Sequence, residues 1–322
     1  MLSCCPEILG ILFRIAQLLD CMKKRSANQP SSVEDGSDQS GTDGDLGRTG
    51  GGKDRRFVTA LARGLAILRA FESSSDRLGN GDIARRAGLP KATVSRLTHT
   101  LTSLGYLSYS QEREQYGLGV SLMALGMAFF RANSFPQIAR PFLQNLADEV
   151  QCVVALFQRD GLDCVVVKQF TGVTQNIAVQ LNVGSRVPLG GTVTGLAMIA
   201  ALPLDERKHV LAELRRRQGD DWPALQAKIE RCREEVLARH YAVGIGLWHK
   251  NVNSITAPLV AQETGELFMI SVSGPAFLTT ERIIRDNVAP KLVAMMDCMC
   301  RLDLARWPSS IRGGQLAAGG GR

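Results

Sequence analysis

The chain has 322 residues, a formal net charge of +7 and an isoelectric point near 9.1. A hydrophobic content of 45% and a charged content of 21% are typical of a soluble globular protein, and the length predicts about two domains. The excess of basic over acidic residues suits an anionic partner but does not identify it. The eight cysteines form no C-x-x-C pair and no Cys/His cluster with zinc-ligand spacing. This pattern argues against a metal site and favours reduced thiols in a cytoplasmic protein.

Residues 1–56 are expected to form an extension without a fold of its own. An apolar stripe at Ile8–Met22 is bracketed and interrupted by charges such as Glu7 and Arg14, and no basic region precedes it. These features argue against a membrane span and a signal peptide. The stripe is either a short amphipathic docking helix or lies upstream of the true start codon, for example Met22. Glycine, serine and acidic residues dominate Ser26–Lys53, as in a disordered tether.

Three short helices are indicated within residues 57–104. The first is predicted at about Thr59–Phe71 and the second at about Asp82–Ala87. Gly88 permits a tight turn, and Pro90 supplies the fixed φ that suits the start of the third helix. The side chains expected to face the core are Leu61, Leu65, Leu68 and Phe71 in the first helix and Val94, Leu97, Leu101 and Leu104 in the third. Two helices joined this tightly predict a helix-turn-helix, with its second helix in the DNA major groove.

A β-hairpin is predicted directly after these helices. Residues 106–109 can pair with residues 116–118 across a polar tip at Gln111–Gln115, which would form the wing of a winged helix and close the domain at residue 119. From Ile83 to Arg113 there are five basic residues and one acidic residue, as on a phosphate-binding face. The candidate DNA contacts are Lys91, Thr93, Ser95, Arg96, His99 and, in the wing, Arg113. The alternatives are that Lys91 is no more than a phosphate clamp and that His99 is a plain exposed residue.

The rest of the chain changes from an apolar helix to a mixed α and β pattern. Val120–Phe130, within a linker at residues 120–134, is rich in methionine and phenylalanine, which indicates a subunit contact. The predicted strands are Cys152–Gln158, Leu162–Phe170, Ile177–Leu181, Ser254–Pro258 and Glu266–Val272, and the predicted helices are Gln137–Glu149, Thr192–Ala201, Leu204–Arg217, Trp222–Arg239 and Thr280–Leu304 with a kink at Pro290. Helices on an antiparallel sheet indicate an α+β sensor-like domain over residues 135–306, followed by a disordered tail at 307–322.

The arrangement as a whole resembles the IclR family of bacterial transcription regulators. The matching stretches are ARGLAILRAF (62–71), DIARRAGLPKATVSRLTHTLTSLGYL (82–107), YGLG (116–119), GSRVPLGGTVTGLAMIA (184–200), VNSITAPL (252–259) and SVSGP (271–275). The likeness covers about Phe57 to Leu304. It implies a winged helix-turn-helix domain, a linker helix and a GAF-like effector-binding domain. It also implies dimers, often paired into tetramers, on palindromic double-stranded DNA operators.

Three segments contain the candidate ligand site. A turn at Gly190–Gly195 precedes a helix whose N-terminal N–H groups suit a carboxylate, although Thr192 could simply cap that helix. Ser271 and Ser273 share one face of a strand, and either a ligand or a neighbouring strand could be their partner. With the family resemblance, the candidate ligand residues are Gly191, Thr192, Val193, Thr194, Val252, Ser254, Ser271 and Ser273, around a small organic acid. Gly190 and Leu196 stand where the family commonly has a histidine and a lysine, so a relative's effector cannot simply be transferred.

The sequence favours a ligand-controlled transcription factor that is not an enzyme and needs no cofactor. One alternative is a metabolic enzyme with an attached DNA-binding domain, using Cys152, Cys164, His209, His240 or His249. Against it, the sequence has no nucleophile–base motif, metal cluster or nucleotide-cradling loop. The other alternative is an architectural DNA binder whose second domain takes no ligand.

Overall fold

The computed structural model describes residues 56–72, 77–172 and 181–314, which form two compact units. The first unit contains residues 56–71, 78–104 and 109–116, and the second contains the remaining described residues. The N-terminal extension and the strand predicted at Ile177–Leu181 lie almost wholly outside the described residues, as does the end of the chain beyond residue 314.

Three helices and a hairpin make up the N-terminal region. They are α1 (Thr59–Arg69), α2 (Asn80–Ala87), α3 (Lys91–Ser103), β1 (Leu107–Ser110) and β2 (Gln115–Leu118). Gly88 ends α2 with a left-handed φ of 64°, which glycine adopts without a steric penalty. Leu78 and Tyr116 exchange two backbone hydrogen bonds of 2.9 and 2.8 Å, which adds a short third segment to the hairpin. The predicted helix-turn-helix and wing are therefore confirmed.

The core of this region differs from the prediction. Ile67, Phe71, Ile83 and Val94 are buried. Leu61 and Leu65 in α1 and Leu104 after α3 are instead 63%, 52% and 62% exposed, so the prediction that they face the core is wrong. The physical reason is that α1 carries two apolar stripes, and only the stripe containing Ile67 and Phe71 meets the other helices.

The apolar helix predicted after the wing is present as α4 (Val120–Ala132). None of its side chains is buried, and Val120 and Met123 are 74% and 62% exposed. The helix therefore presents a largely uncovered apolar surface.

The second unit contains a seven-stranded antiparallel sheet. Its strands are β3 (Val153–Asp160), β4 (Asp163–Thr171), β5 (Arg186–Pro188), β6 (Ala242–Ile245), β7 (Val252–Ala261), β8 (Leu267–Pro275) and β9 (Ala305–Arg306). The strand order is β5-β4-β3-β8-β7-β6, and β9 pairs with β7. Strands β5, β6 and β9 were not predicted, because they are short and have no clear alternation.

Helices cover both faces of this sheet, which confirms the α+β class. They are α5 (Phe135–Ile138), α6 (Arg140–Val150), α7 (Val193–Ala201), α8 (Leu204–Gln218), α9 (Trp222–Arg239), α10 (Glu281–Ile283) and α11 (Ala289–Arg301). Every residue of α7 is buried, in a cluster with α9 and with Val153, Ala155 and Phe157 of β3. Helices α6 and α11 pack against the opposite face of the sheet.

Two details of the helices differ from the sequence prediction. The helix expected at Gln137–Glu149 is divided at Ala139 into α5 and α6. In the last helix, a π-helical turn at Ile284–Val288 comes directly before the helical segment that contains Pro290, the position of the expected kink.

The start of the predicted disordered tail packs onto the second unit. The Trp307 ring stacks on His240 with centroids 4.6 Å apart, and Ser310 Oγ donates to the Ala201 carbonyl at 2.7 Å. Ile311 is 1% exposed. The domain boundary expected at residue 306 is thus too early, since the apolar side chains at 307 and 311 are covered by α7 and α9.

Candidate DNA-binding surface and effector site

Helix α3 presents a polar and basic surface. Lys91, Ser95 and His99 follow one another at helical spacing, Arg96 lies beside them, and all four are exposed, whereas Thr93 is half-buried. Val94 and Thr98 hold the opposite face in the core. Within the described ranges neither Lys91 nor Arg96 forms an ion pair. Their charges are therefore available to an external anion.

The other basic residues between Ile83 and Arg113 have partners or acidic neighbours. Arg85 pairs with Asp82, and Arg86 Nη1 donates to the Ala70 carbonyl at 3.1 Å, where it caps α1. Arg113 is exposed at the tip of the wing between Glu112 and Glu114. The stretch that predicted a basic face, Ile83–Arg113, leaves out the two acidic residues that flank it, Asp82 and Glu114. The available positive charge consequently lies mainly on α3.

The register of the sheet brings the polar side chains of β7 and β8 together. Ser254 lies opposite Ser273, and Thr256 lies opposite Ser271. Directly paired residues point to the same side of a sheet. We call these four residues the polar face; it lies on the side of the sheet covered by α7. Val252 shares this side and is half-buried.

Two contacts organise the polar face. The hydroxyl oxygens of Ser271 and Ser273 lie 3.4 Å apart. Thr256 Oγ1 donates to the Ile270 carbonyl at 3.2 Å. Sequence reasoning missed Thr256, although its spacing of two residues from Ser254 was a signal that could have found it.

The turn before α7 is held by Thr192. Its hydroxyl accepts from the Gly195 N–H at 3.0 Å and donates to the Pro188 carbonyl at 3.2 Å. The capping interpretation of Thr192 is thus confirmed, and its only hydroxyl proton is already engaged. By helix geometry, the N–H groups of Val193 and Thr194 have no acceptor within α7.

Close packing places the start of α7 against the edge strand β6. A Cβ atom at Gly244 would lie 2.8 Å from Val193 Cβ, and one at Gly195 would lie 2.3 Å from Leu189 Cα. Only glycine allows these approaches, so both positions fix α7 on the sheet.

A cavity of about 150 Å³ lies between α7, α9 and β6. Val193, Leu196 and Gly244 line it, together with the exposed cations Lys228 and Arg231 and with Glu235, whose carboxylate is paired with Arg239 and Arg285. Neither cation forms an ion pair in the part of the chain that the structure describes. Sequence reasoning missed both, because only the tertiary fold brings α9 to β6. The cavity adjoins the polar face, since Gly244 pairs directly with Ser254.

Cys152 and Cys164, the cysteines of the enzyme alternative, are poor nucleophiles, as is Cys232. Burial raises the pKa of Cys152 to about 11 and that of Cys232 to about 12, and it also raises the pKa of Cys164. A thiol that stays protonated near neutral pH does not attack an electrophile. Across the described ranges, no group of three or more His, Cys, Asp or Glu side chains could hold a metal ion. Nor does any helix in those ranges have the length and apolarity to cross a membrane.

Comparisons with known proteins agree with this architecture. Residues 60–111 match the IclR helix-turn-helix domain model, and residues 131–301 match the C-terminal domain model of the bacterial transcriptional regulator IclR. The HTH-type transcriptional regulator TsaQ1/TsaQ2 of Comamonas testosteroni is 30% identical over 79% of this chain and 92% of its own length.

Solved structures show the same fold. An IclR family transcriptional regulator from Brucella abortus is 37% identical with a TM-score of 0.69, over 78% of this chain and 95% of that one. An IclR homolog from Microbacterium hydrocarbonoxydans, solved with 4-hydroxybenzoate, has the fold at 20% identity and a TM-score of 0.57, over 74% and 99% of the two chains. The chain therefore belongs to the IclR family of bacterial transcriptional regulators, with a helix-turn-helix DNA-binding domain and the C-terminal domain of these regulators.

Proposed function

We propose that a small organic acid bound at the polar face and the adjoining cavity controls the affinity of this regulator for its operator. The observation that carries the proposal is the side-by-side placement of Ser271 and Ser273 on the sheet face beneath α7. Hydroxyl groups held on an inner face need hydrogen-bond partners, and a carboxylate is an acceptor for them.

The donors around this face suit an anion. The N–H groups of Val193 and Thr194 lie at the positive end of the α7 dipole, and Ser271 and Ser273 supply hydroxyl groups. Gly191, Val252 and Ser254 complete the proposed site, whereas Thr192 positions the turn. The cations Lys228 and Arg231 at the cavity attract a negatively charged ligand to it.

The cavity beside the polar face gives a scale for the size of the acid. A cavity of about 150 Å³ holds a benzene-sized molecule. The proposed effector is therefore a single-ring aromatic acid or a short aliphatic acid. The 4-hydroxybenzoate bound to the Microbacterium hydrocarbonoxydans homolog makes benzoates the first compounds to test.

On the DNA side, α3 is proposed to enter the major groove. Lys91, Thr93 and Ser95, near its N-terminus, would reach base edges or the flanking phosphates, and Arg96 and His99 would follow along the groove. Arg113 would contact a phosphate or a neighbouring groove from the wing.

The proposed assembly is a homodimer or a homotetramer on a palindromic operator. Leu61 and Leu65 in α1, and Val120 and Met123 in α4, are exposed apolar side chains. Apolar surfaces of this kind mark subunit contacts. Two copies related by a twofold axis would present two α3 helices to matched half-sites.

A thermal-shift screen of small carboxylates tests the ligand proposal. An acid at 100 times its Kd should stabilise the native state by about 2.7 kcal/mol, which raises the melting temperature measurably. The acid should be recovered unchanged, since the proposal excludes turnover. Absence of stabilisation across aromatic and aliphatic acids would contradict the site, and conversion of an acid would support the enzyme alternative.

A further inference from the structure

Gln169 lies on the same side of the sheet as the polar face. In β4 it pairs with Ala155 of β3, and Ala155 in turn pairs with Ser271 of β8. Thr256 of β7 continues this row. Because directly opposite residues share a side, Gln169, Ser271 and Thr256 all point towards the side that α7 covers. The register of β4 shifts by one residue at Val167, opposite Leu156 and Phe157 of β3, so sequence spacing alone does not reveal this row.

The side-chain carbonyl of Gln169 has no partner. Its Oε1 atom is fully buried, and no donor within hydrogen-bonding distance is found for it in the structure's described ranges. The hydroxyl contacts of the same face do not involve Gln169, since Thr256 donates to Ile270 and Ser271 lies against Ser273, a pair that uses only one of its two hydroxyl protons. Buried acceptors nearly always receive a hydrogen bond, and an unsatisfied acceptor needs a specific explanation. Gln169 is thus the acceptor of this row that lacks a donor.

The residue between Gln169 and Ser271 is small. Ala155 presents only a methyl group, and two strand spacings of about 4.8 Å each separate the backbones of Gln169 and Ser271. Side chains of this length can therefore contact opposite ends of one ring-sized molecule. The serine end offers donors, which match a carboxylate, and the glutamine end offers an acceptor, which matches a hydroxyl group.

We propose that Gln169 is a specificity-determining residue of the effector site, and that its side-chain carbonyl accepts a hydrogen bond from a hydroxyl group of the ligand. The ligand class is then a hydroxylated carboxylic acid. This inference rests on the proposed function, because it assigns the second polar end of an acid that lies on the polar face over Ala155. Gln169 on β4 and the cavity beside β6 lie on opposite sides of that face.

The test compares hydroxylated acids with their deoxy counterparts by isothermal titration calorimetry on the full chain. The probes are benzoate with 3- and 4-hydroxybenzoate, and butyrate with 3- and 4-hydroxybutyrate. Wild-type protein should bind one hydroxylated acid at least about tenfold more tightly than its deoxy partner, as expected for one buried hydrogen bond. Gln169→Met keeps the size of the side chain and removes the acceptor. It should abolish that preference and leave the affinity for the deoxy acid unchanged.

A matched control uses another glutamine of the same sheet. Gln158 of β3 follows Phe157 and so points to the opposite side, and Gln158→Met should leave both affinities as in the wild type. The melting temperature of Gln169→Met should equal or exceed that of the wild type, because the substitution removes an unsatisfied buried acceptor. A marked decrease would show that the amide holds the fold together, which contradicts the proposal.

The remaining outcomes separate the two proposals. Binding of acids without any hydroxyl preference, or a preference that survives Gln169→Met, would overturn the role of Gln169 and leave the acid site intact. Failure of every acid to bind wild-type protein would overturn the acid site, and the role of Gln169 with it.

Discussion

Replacing Arg96 with alanine tests the proposed contact of α3 with DNA. Arg96 is exposed and forms no ion pair in the described chain, so its loss should change the free energy of unfolding by no more than about 0.5 kcal/mol. An arginine that donates two hydrogen bonds to a guanine contributes about 1–3 kcal/mol of discrimination. We therefore expect Arg96→Ala to weaken operator binding by about 5- to 150-fold, with normal thermal stability.

Fluorescence anisotropy with the operator and a scrambled duplex, each at several salt concentrations, separates the two roles that Arg96 could have. Loss of a base contact weakens operator binding and leaves binding to the scrambled duplex nearly unchanged. Loss of a phosphate contact weakens both and reduces the slope of log K against log salt by about 0.9.

Arg85→Ala is the matched control. Arg85 is an exposed arginine outside α3, and its guanidinium is paired with Asp82. This variant should bind the operator as the wild type does. If Arg96→Ala and Arg85→Ala both retained wild-type affinity and specificity, Arg96 would not lie in the interface.

Three further predictions concern the effector domain. Thr192→Ala should lower the free energy of unfolding by about 1 kcal/mol through loss of the helix cap, while Thr192→Ser should restore it; equal stability of the two in chemical denaturation would refute the cap. Gly244→Ala should destabilise by about 1–3 kcal/mol because its Cβ would lie 2.8 Å from Val193, whereas Gly81→Ala, with nothing within 4 Å, should not. The buried thiols Cys152, Cys164 and Cys232 should resist iodoacetamide at pH 8 until the protein unfolds, since burial raises their pKa; site-resolved mass spectrometry showing rapid native labelling would contradict this.

Local signals made the helix-turn-helix predictable. Gly88 at a left-handed φ and Pro90 at the start of α3 act through their own backbone geometry, so the sequence alone indicates the turn. The cap of α7 by Thr192 was one of the two interpretations of that residue, beside ligand binding, because a helix cap also depends on local backbone geometry.

The burial of individual faces was less predictable. Helix α1 has two apolar stripes, and nothing in its own sequence shows that Ile67 faces the core while Leu61 and Leu65 face outward. The count of basic residues also overestimated the available positive charge, because Arg85 pairs with Asp82 and Arg86 donates to the Ala70 carbonyl. In both cases the answer depends on tertiary contacts.

Long-range pairing decides the rest of the effector site. Ser271 and Ser273 were predicted from alternation within one strand, but Gln169 joins their row only through the register of three strands. Lys228 and Arg231 reach the cavity because α9 packs beside β6. The spacing of residues in the sequence does not show which strands pair or which helix packs beside β6.

The most direct test of the whole account is a titration of the purified chain on its own upstream DNA, with and without the acid that most raises its melting temperature. The account predicts binding that weakens steeply with salt and an operator affinity that changes when the acid is added. Failure to bind any fragment of that region at low salt would contradict the DNA-binding assignment of α3, and binding that no acid alters would contradict control through the polar face.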